Sequence, residues 1–148
     1  MPTVEVTHTV AAGEPEAWAA VIDVEGYAAC MDNVRSVRLV EKLTGERRLI
    51  AWSTFLKGSI LEWTEEELLD HDAHRIVFHQ TSGDLERFSG YWQVAPVGGG
   101  GSVITLYVDF EIGIPLLADM LNPVAVTALR ENALQMLAGI ERRLVSSR

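Results

Sequence analysis

Residues 122–146 read NPVAVTALRENALQMLAGIERRLVS, and the apolar spacing in this stretch decides the fold. Asn122 is a good N-cap, and Pro123 suits a first helical turn, where its missing N–H costs nothing. From there Ala125, Leu129, Ala133, Met136, Ile140 and Leu144 recur at spacings of three and four, which stacks them on one stripe of a helix running to about Ser146. Arg130, Glu131, Gln135, Glu141 and Arg142 fall outside it. A helix of about 23 residues is roughly 34 Å long at 1.5 Å per residue, so its stripe needs a large partner surface, which the upstream chain must supply. Asn132 stands at the edge of the stripe, one turn before Met136, where a plain core would prefer an apolar side chain. It either bonds a strand carbonyl or contacts a ligand, because buried amides are normally satisfied.

The upstream chain reads as strands. Thr3 to Ala11 alternates Val4, Val6 and His8 against Thr3, Glu5, Thr7 and Thr9, the pattern of a strand with one wet face. Gly13, Glu14 and Pro15 open a helix carrying Trp18, Val21 and Ile22, and a second short helical piece spans Glu25 to Met31. Six more strands follow at Val34–Glu41, Arg47–Lys57, Ser59–Leu69, Arg75–Thr81, Glu86–Ala95 and Val103–Ile112. They are separated by short turn signals: Thr44-Gly45, Lys57-Gly58, Asp70 to His74, Ser82-Gly83-Asp84 and Gly98 to Gly101. Such an order predicts an α+β domain, a curved antiparallel sheet of about seven strands wrapped around the long C-terminal helix, with two short helices after strand one. The concave space between sheet and helix is the expected small-molecule site.

A chain of 148 residues with 48% hydrophobic and 22% charged residues fits one globular domain, 1–148. Its 21 acidic and 12 basic residues give a net charge of −9, which repels phosphate backbones and anionic lipid surfaces and argues against nucleic acid as a partner. The single cysteine, Cys30, cannot form an internal disulfide, and the opening Met-Pro-Thr-Val-Glu lacks signal-peptide regions, so a cytoplasmic setting is expected. The apolar stretch Phe110 to Leu129 is interrupted by Glu111, Pro115, Asp119 and Pro123, so membrane insertion is not expected.

Strand periodicity selects the candidate site. Phe88, Gly90, Trp92 and Val94 share the inner face of their strand. Between Ser59 and Leu69, period two separates Ile60, Glu62, Thr64 and Glu66 from Leu61, Trp63, Glu65 and Glu67. The Trp63 face is the inner one, because tryptophan buries far more area than isoleucine. Glu65 and Glu67 then point toward the cavity, where desolvation raises a carboxyl pKa toward the range useful for proton transfer; the alternative is that the strand end twists out and solvates both. Other chemistry has weaker support. His71 and His74 fall in an Asp-rich turn and read as a solvated hairpin, so no metal is assigned. Gly98 to Gly101 precedes a strand and lacks the helix N-terminus of a phosphate loop. Cys30 and His79 carry no nucleophile signature and read as structural.

The opening strand followed by Ala-Gly-Glu-Pro-Glu-Ala-Trp at 12–18, Leu56-Lys57-Gly58, Trp63, the run Gly83 to Trp92 and Asn132 resemble the START-like, or polyketide cyclase/dehydrase, superfamily over nearly the whole chain. That resemblance implies the helix-grip fold and one of two functions; no cofactor is expected. The first is an aromatase/cyclase-like enzyme that holds a poly-keto or aromatic intermediate for aldol cyclisation and dehydration, with a polyketide synthase or acyl carrier protein as a possible partner. The second is a non-catalytic carrier of a hydrophobic ligand such as a quinone or lipid. The aromatase/cyclase branch typically carries Trp-x-Ser-x-Arg where this chain has Trp63, Glu65 and Glu67, and an acceptor-only carboxylate cannot do what a guanidinium does. A related mechanism would use Glu65 or Glu67 as the base. Tyr27, Gln80 and Asn132 would be donors to carbonyls, and Trp52, Trp63, Phe88, Trp92 and Met136 ligand-contacting walls.

Overall fold

The structure, a computed structural model, describes the backbone of residues 2–56, 59–111 and 115–146 and the side chains of residues 2–55, 60–111 and 123–145. Its strands are β1 (Thr3–Val10), β2 (Val34–Lys42), β3 (Arg47–Leu56), β4 (Ser59–Asp70), β5 (Arg75–Gly83), β6 (Arg87–Pro96) and β7 (Ser102–Glu111). After β1 come α1 (Glu14–Ile22), a 3-10 turn at Val24–Gly26 and α2 (Tyr27–Cys30), and after β7 comes the long α3 (Pro115–Ser146). The seven strands form one antiparallel sheet in the order β1-β7-β6-β5-β4-β3-β2. The meander thus runs β2 to β7, and β1 adds to its far end against β7. This is the expected α+β helix-grip architecture. The turn at Lys57-Gly58 and the strand end at Ile112 lie outside the described residues.

Period two does the sorting. In β7, Ser102, Ile104, Leu106, Val108 and Phe110 are all buried and the residues between them half-buried, the signature of a sheet with one face on the core. Opposite them, α3 buries Leu129, Ala133, Met136, Leu137, Ile140 and Leu144. Two glycines permit the close approaches that curl the sheet and seat the helices. A Cβ on Gly90 would lie 1.8 Å from the Tyr107 carbonyl oxygen, and one on Gly139 would lie 2.5 Å from that of Cys30.

The structure corrects three expectations. First, α3 does not start at Asn122: it begins at Pro115, and Pro123 lies inside it. An N-cap is worth about 1 kcal/mol, less than the backbone hydrogen bonds of two extra turns at roughly 1 kcal/mol each; Pro115 takes the opening position that suits proline. Second, β5 continues through Gly83, which pairs with Trp63, and the turn falls at residues 84–86. A Cβ on Gly83 would sit 2.4 Å from that of Trp63, so glycine lets the strand run on. Third, the Asp70–His74 turn is not merely solvated. The Trp18 indole N–H donates to His71 Nδ1 at 3.2 Å, and the Trp18 ring lies 5.2 Å from that of His74. His79 also has a neighbour, Glu66 on β4 at 3.7 Å.

Candidate active site

The hairpin β3–β4 builds the site. Its register, counted outward from Leu56 opposite Ser59, sets Trp52 against Trp63, Ile50 against Glu65 and Arg48 against Glu67. All six of these inner-face side chains are buried except Arg48, which is half-buried. Between β4 and β5 the register slips by one residue after Thr64, leaving Thr81 as the extra residue beside Glu65. A bulge of this kind re-aims the side chains next to it.

Between this face and α3 lies a cavity walled by Trp52, Trp63, Phe78, Phe88, Trp92 and Met136, with Leu61, Leu106, Val108, Leu129 and Ala133 completing the apolar lining. Its polar lining residues are Thr54, Glu65 and Asn132. The free volume is about 30 Å³, enough for one or two water molecules. The aromatic walls form a chain: Trp52 stacks on Trp63 with centroids 5.5 Å apart, Trp63 meets Phe88 at 4.9 Å, and Phe88 meets Phe78 at 5.7 Å.

Glu65 is the titratable group in the cavity wall. Only 2% of it is exposed, and its Oε1 accepts the Trp63 indole N–H at 2.7 Å. Burial, followed by the neighbouring Glu67 carboxylate, pushes its pKa well above the usual carboxylate range; the Trp63 and Trp52 indoles oppose this only partly. Burial thus favours the protonated form of Glu65, which can donate a hydrogen bond. Glu67, fully buried, is turned away from the cavity: Arg48 Nε donates to its Oε1 at 2.8 Å, and Arg48 Nη1 donates to the Ile22 carbonyl at the end of α1 at 2.8 Å.

The structure divides the sequence-selected residues. Glu65, Trp52, Trp63, Phe88, Trp92, Asn132 and Met136 line the cavity. Glu67, Tyr27 and Gln80 do not, which corrects the expectation that they face it. The Tyr27 hydroxyl, wholly buried, donates to the Val21 carbonyl, and burial with the Glu67 charge raises its pKa. Gln80 Nε2 donates to the Leu85 carbonyl at 2.7 Å. In both cases a nearby backbone carbonyl has taken the donor. Asn132 bonds a strand carbonyl, its Nδ2 donating to the Phe55 carbonyl of β3 at 3.2 Å, and it also borders the cavity. Two participants were missed. Asn33 donates to the Asn132 carbonyl at 3.2 Å and accepts from Phe55 N through its own carbonyl at 2.8 Å. Arg48 could have been found by counting the hairpin register outward from the Lys57-Gly58 turn.

Among the described residues no three His, Cys, Asp or Glu side chains gather as a metal site, and no helix is long and apolar enough to cross a membrane.

A curved sheet gripping a long helix over an apolar cavity with a buried acid defines a protein of the helix-grip class. The chain belongs to the polyketide cyclase/dehydrase and lipid transport family, whose model matches residues 10–137. Among solved structures it is similar to TTHA0849 from Thermus thermophilus, at 27% identity and a TM-score of 0.91 over 99% of each chain. It is also similar to the Zhui aromatase/cyclase from Streptomyces sp. R1128, at 21% identity and a TM-score of 0.85, covering 96% of this chain and 92% of that one. A START superfamily protein from Mycobacterium smegmatis matches at 14% identity with a TM-score of 0.84 over the whole of both chains. No curated protein matches the chain by sequence.

Proposed function

We propose that the protein is a polyketide cyclase of the aromatase type, holding a poly-keto intermediate in the cavity and promoting aldol closure and dehydration, with Glu65 as the proton-transfer group. The observation that carries this is Glu65 itself, a carboxyl buried in an aromatic wall, where desolvation favours its protonated form. In this reading Glu65 rests as the acid, which reverses the order expected from sequence. Glu65 first donates its proton to the carbonyl oxygen under attack while the carbon–carbon bond forms from a neighbouring enol. The enol proton then returns to the Glu65 carboxylate, so closure is proton-neutral; in a second cycle Glu65 protonates the new hydroxyl, which leaves as water, and its carboxylate takes the adjacent α-proton as the double bond forms. The aromatic walls hold the chain bent. With about 30 Å³ of free volume, below the 300–1,000 Å³ of typical ligand pockets, the walls must move apart to admit a substrate.

The small number of polar lining groups, three with Asn132 already bonded, favours a second reading as a carrier of a hydrophobic ligand. Glu65→Gln separates the two. The cyclase reading expects product formation with a cognate synthase to fall by roughly 10²-fold or more while ligand affinity changes little. Unchanged product yield would leave the carrier.

A further inference from the structure

We propose that the Arg48–Glu67 ion pair is a positioning element that keeps a proton on Glu65, so that the cavity presents an acid and not a carboxylate. Two carboxyls, Glu65 and Glu67, lie buried on one face of β4 at 2% and 0% exposure. Among the described residues, one cation, Arg48, is paired with them. Arg48 meets Glu67 Oε1 at 2.8 Å and is anchored by the Ile22 carbonyl, so the guanidinium is committed to Glu67 and not to Glu65. Among the described residues, Glu67 Oε2 is buried without an N–H or hydroxyl donor.

The charge balance follows. With Glu67 ionised and Arg48 charged, the cluster is neutral only if Glu65 keeps its proton; a second buried carboxylate would stand uncompensated among apolar walls. The other groups around Glu65 cannot replace the cation. From α2 comes Tyr27, whose phenol burial keeps neutral. From β3 and β4 come the Trp52 and Trp63 indoles, from β5 the uncharged Gln80 opposite it in register, and from α3 Asn132 and Met136 across the cavity. Arg48 and Glu67 are thus the charged pair that decides which carboxyl holds the proton.

The inference rests on the reading of Glu65 as the cavity acid, and its test needs no ligand. Infrared spectra of the full chain with carboxyl-labelled glutamate, at pH 7, should show a protonated carboxylic acid band that disappears in Glu65→Gln. In Glu67→Gln that band should also be lost, because Arg48 then has no anion and Glu65 ionises to pair with it. In Arg48→Met a second acid band should appear as Glu67 also takes a proton, whereas Arg48→Lys, which keeps the charge, should retain a single band. A purely packing role for Arg48 would leave the number of acid bands unchanged. If the Met variant does not fold, Glu67→Gln and Arg48→Lys decide. A Glu65 band that persists in Glu67→Gln, or a Lys variant that does not keep one band, overturns the positioning role alone. Absence of any Glu65 acid band in the native protein overturns the acid reading as well.

Discussion

Trp52 and Trp63, opposite each other on β3 and β4, lie nearly parallel, 6° apart in plane with centroids separated by 5.5 Å. One indole donates to Glu65 and both line the cavity, so the pair reports on the site optically and electrostatically. A saturable change in tryptophan emission is expected on titration with an aromatic poly-ketone or quinone. Trp63→Phe should keep the apolar wall but remove a donor that favours ionised Glu65, so the Glu65 acid band should persist to higher pH. A band that ionises at lower pH in this variant would contradict the assigned role of the indole.

Glu65 also predicts a pH dependence of stability. Its folded pKa is raised, so between the ordinary carboxylate value of about 4.3 and the folded value the native state binds more protons than the unfolded chain. Its contribution to stability therefore falls as pH rises through that window. Glu65→Gln removes the slope. In urea denaturation the stability of the variant relative to the native protein should increase from pH 5 to pH 8, and an equal difference at both pH values would refute the buried acid.

Asn33 and Asn132 tie α3 to the end of β3 through Phe55. Asn132→Ala should cost about 1 kcal/mol, the net worth of one hydrogen bond. Asn33→Ala should cost somewhat more, because its side chain is buried and its removal also leaves a small cavity. The double variant should fall short of the sum, since both side chains serve one junction.

Gly90→Ala should be far more damaging than its size suggests. The added methyl would overlap the Tyr107 carbonyl of the neighbouring strand, and Phe78 stands 3.1 Å away on the other side. A loss of at least about 3 kcal/mol, the upper range of overpacking, is expected in thermal or urea unfolding. A tolerated Gly90→Ala would mean that β6 and β7 can separate without loss of the curl.

The fold was legible because two periods dominate the chain, and both are local: alternation placed Trp63, Glu65 and Glu67 on one face, and the three-four spacing placed Leu129 to Leu144 on one stripe. The start of α3 was not legible, because Asn122-Pro123 imitates a helix opening whose small local preference is outweighed by continued backbone bonding. The site was half legible. Inward direction can be read from alternation, but the partner that a polar group finds there depends on distant chain. Glu67 found Arg48 across a hairpin, and Tyr27 found the carbonyl of Val21, closer than any ligand.

The pairing of β1 with β7 sets Thr3 opposite Asp109 and Val10 opposite Ser102. During synthesis β1 therefore waits for a mate about a hundred residues downstream, roughly 5 to 20 s at ordinary elongation rates. Until then Val4, Val6 and Val10 have no sheet to cover them, while the hairpins from β2 to β6 can close as they emerge. Synthesis order and assembly order run in opposite directions for this edge, which leaves Thr3–Val10 the last of the seven strands to be locked in place.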